Sequence, residues 1–135
     1  LKQDIGGAQI LFDSRVSLVM VPCMGVASHL TSTVPEIEKY IESQGEIGLF
    51  LAMRFKEYSE DHKGWCKEIW DMAAVSWALN ESWAPTNILP SPILLNNMTW
   101  VFDNSRHPIK IVSELKRDLI IKNFIEKLEN HMKTK

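Results

Sequence analysis

The chain has 135 residues, of which 45% are hydrophobic and 24% charged, and its formal net charge is −2. This length and composition are typical of one globular domain and argue against a disordered chain. The small negative charge gives no long-range attraction to nucleic acid or to an anionic membrane, and no apolar run approaches the roughly 18 residues of a membrane span. We therefore expect a single domain over residues 1–135 whose partners include neither nucleic acid nor a membrane.

The first sixty residues predict, in order, a helix, a buried strand and two further helices. Asp4 begins a short helical pattern, and the apolar, β-branched run "RVSLVMVP" is typical of a strand buried on both faces. Thr33 and Glu36 have the spacing of a capping box in front of a helix that stops at Gly45. In the next helix, predicted for residues 46–60, apolar residues recur at three-to-four spacing.

The second half predicts a helix, several short extended segments and a long final helix. After a polar loop, Asp71 begins the helix "MAAVSWALN". Prolines and Asn- and Asp-rich breaks across residues 84–113 predict short strands joined by turns, and "LKRDLIIKNFIEKLENHMK" is an amphipathic helix. Because a strand buried on both faces needs parallel neighbours, the pattern predicts part of an α/β fold with helices packed on a parallel or mixed sheet.

The two cysteines predict the cellular compartment, and the start of the chain predicts whether it is part of a larger protein. Cys23 and Cys66 are too few for a disulfide framework, and neither has a Cys or His at zinc-finger spacing. Two free, reduced thiols predict a cytoplasmic protein. The chain begins at Leu1 without a basic segment or a signal-type apolar run, which predicts that it is one piece of a larger protein.

Trp70 and Asp71 stand side by side directly before an apolar helix. In a structural interpretation, Asp71 caps the helix by accepting first-turn amide hydrogens, worth about 1 kcal/mol, and Trp70 anchors the core. In a functional interpretation, the carboxylate binds a hard cation and the indole stacks on a flat ligand. Since Ca²⁺ takes roughly six to eight oxygen ligands, Asp71 alone cannot hold it.

Arg54 and Tyr58 lie at a predicted helix end, followed by a polar loop that contains His62. A mobile loop with an aromatic ring and hydrogen-bonding groups can close over a substrate. A solvated helix terminus is the simpler alternative. The residues alone therefore predict an enzyme-like α/β domain and no particular reaction.

Three stretches together resemble one family, the calcium-dependent nucleoside hydrolases, or nucleoside N-ribohydrolases. "LKQDIGGAQILFDSRVSLVMVPCMGVASHL" resembles the segment after that family's substrate motif, and "IWDMAAVSWALNESW" resembles its late His/Trp-Asp-x-x-Ala-Val motif. "DNSRHPIKIVSELKRDLIIKNFIEKL" resembles its C-terminal strand and final helix. The resemblance covers nearly the whole chain and implies the C-terminal portion of a Rossmann-like nucleoside hydrolase fold.

The resemblance also implies roles for four residues. Asp71 matches the aspartate that completes the Ca²⁺ site, and Trp70 matches the position whose indole stacks on the base in the purine-preferring branch. Tyr58 and Arg54 fall in the region that forms a flap over the nucleoside, which makes them substrate-binding residues. The implied reaction, in purine metabolism and nucleoside salvage, is hydrolysis of a purine ribonucleoside's N-glycosidic bond by a Ca²⁺-activated water.

The same resemblance implies an incomplete site. The family's Asp-x-Asp-x-x-x-Asp-Asp motif, which supplies most calcium ligands and the general base, has no match in residues 1–135. We therefore expect no catalytic residue here, no tight calcium binding, and no turnover without the N-terminal portion or a second chain. We also expect a homo-oligomer. The alternative is a non-catalytic α/β binding or interaction module derived from the scaffold; a large exposed apolar patch would favour the hydrolase portion over this module.

Overall fold

A computed structural model describes residues 2–134, which fold into helices packed on a small mixed sheet. The helices are α1 (Ile5–Asp13), α2 (Val34–Tyr40), α3 (Gly45–Lys56), α4 (Met72–Leu79) and α5 (Arg117–Lys133), with short 3-10 helices at Ala27–His29 and Glu81–Trp83. The strands are β1 (Val19–Met20), β2 (Thr31–Ser32), β3 (Lys67–Glu68), β4 (Thr86–Pro90), β5 (Ile93–Leu94), β6 (Trp100–Val101) and β7 (Pro108–Val112). None of these helices is long and apolar enough to span a membrane.

The central sheet has the strand order β1-β7-β4 and contains both pairing directions. β1 runs parallel to β7, with Val19 opposite Lys110, and β4 runs antiparallel to β7 along its whole length. β2 pairs with β3, and β5 pairs with β6, as two separate antiparallel ribbons. The predicted α/β fold with helices on a parallel or mixed sheet is confirmed.

The middle strand, β7, supplies core residues to both faces of this sheet. Ile109 and Ile111 pack with Phe12 of α1 on one face, whereas Val112 packs with Ala84 on the other. This alternation follows from the two-residue period of side chains along a strand. β7 therefore ties α1 to the region that precedes β4.

The strand predicted from "RVSLVMVP" is shorter and more exposed than the sequence indicates. Only Val19 and Met20 pair with β7, and both side chains are partly exposed rather than buried on two faces. β1 is an edge strand, so the described residues leave its second side without a neighbour. The apolar composition of the segment is therefore not matched by burial within residues 2–134.

The predicted capping box of α2 is wrong. The side chain of Thr33 forms no capping hydrogen bond. The carboxylate of Glu36 instead accepts a hydrogen bond from the Ser32 hydroxyl at 2.5 Å and pairs with the Arg117 guanidinium at 2.5 Å. The contact with Arg117 joins two opposite charges, whereas a capping box pairs the carboxylate with an uncharged backbone N–H.

The helix boundaries between residues 34 and 60 also differ from the prediction. α2 ends at Tyr40, five residues before Gly45, and Gly45 is the first residue of α3. α3 ends at Lys56, which leaves Tyr58 outside the helix. α3 packs so closely on the end of α2 that a Cβ at Gly48 would overlap the Ile41 carbonyl oxygen.

Candidate functional site

The backbone that carries Trp70 and Asp71 is held by the β2–β3 ribbon. Glu68 of β3 pairs with Thr31 of β2, and the Ile69 amide donates to the Leu30 carbonyl at 2.8 Å. Leu30 is fully buried, so this hydrogen bond fixes the chain at the core. The chain then turns at Trp70 and Asp71 and enters α4.

The Asp71 side chain does not cap α4, so the capping interpretation is wrong. Its backbone is helical, with φ −74° and ψ −21°, whereas a capping residue has an extended backbone that turns its side chain toward the first amides. The side chain forms no capping hydrogen bond and is exposed. The carboxylate is therefore available to a ligand.

Asp71 lines a cavity of about 340 Å³ between α4 and α5, which we call the α4–α5 cavity. Its walls are mostly apolar and include Met72, Leu79, Trp83 and Phe124. Within residues 2–134, no three His, Cys, Asp or Glu side chains are grouped so that they could hold a metal ion. Ca²⁺ takes roughly six to eight oxygen ligands, of which the carboxylate of Asp71 offers at most two.

Trp70 packs against the hydrophobic cluster beneath α4 and α5. The buried members of this cluster are Ala27, Leu30, Ala73, Ile120 and Ile121. The indole is only partly buried, and it lines neither the α4–α5 cavity nor the cavity next to it. Its contacts support the structural role of a core anchor and leave part of its surface open for stacking.

Arg54 and Tyr58 line a second cavity of about 390 Å³, which we call the α3–β3 cavity. Its apolar walls are formed by side chains of α2 and the residue after it, of α3 and α5, and of the segment between β3 and the start of α4, namely Ile37, Ile41, Leu51, Phe55, Ile69, Met72 and Phe124. The Arg54 guanidinium pairs with Glu57 at 2.5 Å, and the Tyr58 ring lies under the ammonium of Lys67 at 3.6 Å. The site therefore combines apolar walls with charged and aromatic groups.

The two cavities adjoin, because Met72 and Phe124 line both. The structure thus brings Arg54 and Tyr58 together, and places Asp71 in the neighbouring cavity. Lys67 was not among the site residues predicted from the sequence. Tyr58 and Lys67 lie at opposite ends of the loop between α3 and β3, and no helical or strand periodicity connects the two positions.

A third feature is an apolar groove of about 660 Å³ beside β1, which we call the β1 groove. It is lined by residues of α1, β1 and the segments after β1 and around β6, namely Leu11, Phe12, Leu18, Val19, Met20, Val21, Pro22, Cys23, Met24, Trp100 and Phe102. Met24 is 80% exposed and Phe102 is 55% exposed. Cys23 and Cys66 are free, and both are exposed.

Comparison with known proteins shows what this arrangement resembles. No family model and no curated protein matches the sequence. The purine-preferring ribonucleoside hydrolase from Gardnerella vaginalis matches the structure with a TM-score of 0.77 at 15% identity, over 99% of this chain and 46% of that chain. The fold is that of the nucleoside hydrolases.

Two further solved structures give the same result. The inosine-uridine preferring nucleoside hydrolase from Bacillus anthracis has a TM-score of 0.71 at 12% identity, over 93% of this chain and 40% of that chain. A plant nucleoside hydrolase has a TM-score of 0.73 at 14% identity, over 91% of this chain and 44% of that chain. The chain thus spans less than half the length of the structures it matches, consistent with the C-terminal portion of their fold.

Proposed function

We propose that this chain is the C-terminal part of a nucleoside N-ribohydrolase that cleaves the N-glycosidic bond of purine ribonucleosides. The observation that carries the proposal is the carboxylate of Asp71 at the start of α4, which is exposed and does not cap the helix, on a nucleoside hydrolase fold. A carboxylate that capped α4 would accept hydrogen bonds from the first amides of the helix. The Asp71 carboxylate does not, and in this proposal it binds a ligand instead.

In this proposal the chain supplies the side of the site that receives the base. The partly exposed indole of Trp70 offers a flat apolar face for a purine to stack on. Trp70 does not line the α3–β3 cavity, so in this proposal the base lies between the indole and the mouth of that cavity, where Arg54 and Tyr58 hold its edge through their hydrogen-bonding groups. These contacts bind and orient the base.

Asp71 contributes one ligand to a Ca²⁺ site whose other ligands lie outside these residues. We accordingly propose that the chain alone neither binds calcium tightly nor turns over nucleosides. The partner is the N-terminal portion of such an enzyme or a second chain, and the assembly is a cytoplasmic homo-oligomer. The open side of β1 and the exposed apolar β1 groove support this proposal, because exposed apolar surface of this kind marks interaction sites.

A non-catalytic binding module is the second candidate. The observation in its favour is that Asp71 lies in a different cavity from Arg54 and Tyr58, so these residues do not converge on one point within the chain. Such a module binds a purine or a protein partner and needs no metal. A monomeric chain or a symmetric dimer, without further self-association, supports this candidate.

The deciding experiment is release of free base from inosine and guanosine by the purified chain, with and without Ca²⁺. A second series adds an N-terminal portion of a nucleoside hydrolase that carries the Asp-rich motif. Asp71→Asn removes the proposed ligand, and Glu46→Gln, an exposed carboxylate on α3, is the matched control.

Each outcome of this assay has a separate meaning. Base release only after complementation, lost in Asp71→Asn and retained in Glu46→Gln, supports the proposal. Calcium-dependent release by the chain alone, again lost in Asp71→Asn, refutes the predicted inactivity and supports the hydrolase. Absence of release in both series refutes the hydrolase and favours the binding module.

A further inference from the structure

Tyr58 lies beyond the last residue of α3, where the helix no longer holds it. Its amide makes only a long 3.4 Å contact to the Phe55 carbonyl, and the residue is 66% exposed. A ring in this position is free to rotate unless another side chain restrains it. Its orientation at the α3–β3 cavity therefore depends on what contacts its face.

The ammonium of Lys67 contacts that face, 3.6 Å from the ring centroid. Among residues 2–134, no carboxylate forms an ion pair with this ammonium, so the Tyr58 ring is its partner. A cation above an aromatic face is attracted by the negative charge of the ring's quadrupole. The contact fixes the ring in one of its orientations.

Lys67 itself is held firmly. Its backbone is part of β3 and lies opposite Ser32, a residue that is 1% exposed. The Ser32 hydroxyl donates to Glu36, and Glu36 pairs with Arg117. The strand fixes the backbone of Lys67 beside the cavity, and its flexible side chain reaches the Tyr58 ring from there.

We propose that Lys67 is a positioning residue, which holds the ring of Tyr58 at the mouth of the α3–β3 cavity and so sets how the chain recognises the nucleoside base. This inference rests on the proposed function of the site. The contact links the end of α3 to the strand that leads directly to Trp70 and Asp71. Arg54 is oriented in a comparable way by Glu57.

The first test needs no ligand. In the NMR spectrum, the ε-methylene protons of Lys67 should be shifted upfield by the Tyr58 ring, and the shift should vanish in Tyr58→Leu. Lys39 provides an internal comparison, because its ammonium lies 4.9 Å from the centroid of the adjacent Tyr40 ring and its signals should not respond to Tyr58→Leu. An unshifted Lys67 signal in the wild-type chain overturns the proposal.

The second test measures the dissociation constant for inosine by titration of the chain complemented with the N-terminal portion of a nucleoside hydrolase and Ca²⁺, because that assembly holds the complete proposed site. Lys67→Met should weaken binding about two- to fivefold, as expected from the loss of an exposed cation–π contact, and Lys67→Arg should restore it. Lys67→Met should cause no further loss in the Tyr58→Leu chain, and Lys39→Met should have no effect. An equal loss in both backgrounds shows that Lys67 acts without Tyr58 and overturns the proposal.

The two tests separate the failure of this inference from the failure of the proposed function. If the complemented wild-type chain does not bind inosine at all but the ring shift is present, the role in nucleoside recognition is refuted. The contact between the Lys67 ammonium and the Tyr58 ring is then confirmed as structural only. If inosine binds but the ring shift is absent, the proposed base site stands and the role of Lys67 is refuted.

Discussion

Arg117 joins α5 to the β2–β3 ribbon, and its removal should destabilise the whole chain. Its Nε donates to the Thr31 carbonyl at 2.8 Å, and its guanidinium pairs with the Glu36 carboxylate at 2.5 Å. The side chains of Arg117 and Glu36 are 31% and 23% exposed. Arg117→Met keeps most of the apolar stem but removes both contacts, leaving the Thr31 carbonyl and a half-buried carboxylate with fewer partners.

The expected loss follows from the two contacts. A hydrogen bond to a charged group contributes about 1.5–3 kcal/mol, and partial exposure to solvent reduces that value. Since Glu36 still accepts from the Ser32 hydroxyl, we expect the free energy of unfolding to fall by about 2–3 kcal/mol. The amide of Ile69, which bonds to Leu30 at the end of the same ribbon, should also exchange its hydrogen faster.

Urea denaturation followed by circular dichroism measures this loss. Lys122→Met is the matched control, because within residues 2–134 Lys122 forms an ion pair with Glu126 alone, at 3.8 Å across an exposed turn of α5. Such a surface pair contributes about 0–0.5 kcal/mol. The reasoning is refuted if Arg117→Met and Lys122→Met destabilise the chain equally.

Two further predictions concern charge and surface. The Lys56 ammonium donates hydrogen bonds to the Glu38 and Glu42 carboxylates, which hold its pKa above the ordinary value of 10.5. Because the folded pKa is the higher one, the stabilisation is fully present below pH 10.5 and is lost as pH rises through the folded value. Lys56→Met should therefore lower the free energy of unfolding near neutral pH and have progressively less effect above pH 10.5. Urea denaturation at several pH values measures this effect, and an effect that does not change with pH contradicts the prediction. Met24, 80% exposed in the β1 groove, should drive self-association, so Met24→Lys should reduce the mass found by sedimentation equilibrium, whereas Ile88→Lys, at a 71% exposed position on β4, should not. A larger reduction by Ile88→Lys would place the interface on the other edge of the sheet.

The local elements follow from local signals. The Asp4 side chain accepts from the Gly7 amide and begins α1 as predicted, and the amphipathic pattern at the end of the chain correctly predicts α5. The short strands predicted across residues 84–113 are also present, as β4, β5, β6 and β7. In each case the determining contacts lie within a few residues or follow the periodicity of one element.

The errors arise where a distant residue changes a local preference. Glu36 has the spacing of a capping box, but its partner Arg117 lies 81 positions further along the chain, and no local pattern reveals that contact. Asp71 stands where a capping residue belongs, but the ribbon formed with β2 brings the chain into α4 with a helical backbone at this position. The assignment of Asp71 to a ligand site depends on the resemblance rather than on spacing.

The exposure of α3 shows why the candidate site is harder to predict than the fold. The periodic apolar pattern correctly predicts a helix, but the residues that lie deepest in the core are Gly48 and Ala52, while Ile47 and Phe50 remain 47% and 52% exposed. Periodicity identifies an apolar face; it does not say which surface will cover that face. The β1 groove is a second case, because the apolar residues of β1 follow a strand pattern but are not fully buried. The apolar pattern of α3 therefore predicts the helix itself, whereas the burial of its residues depends on contacts made outside that helix.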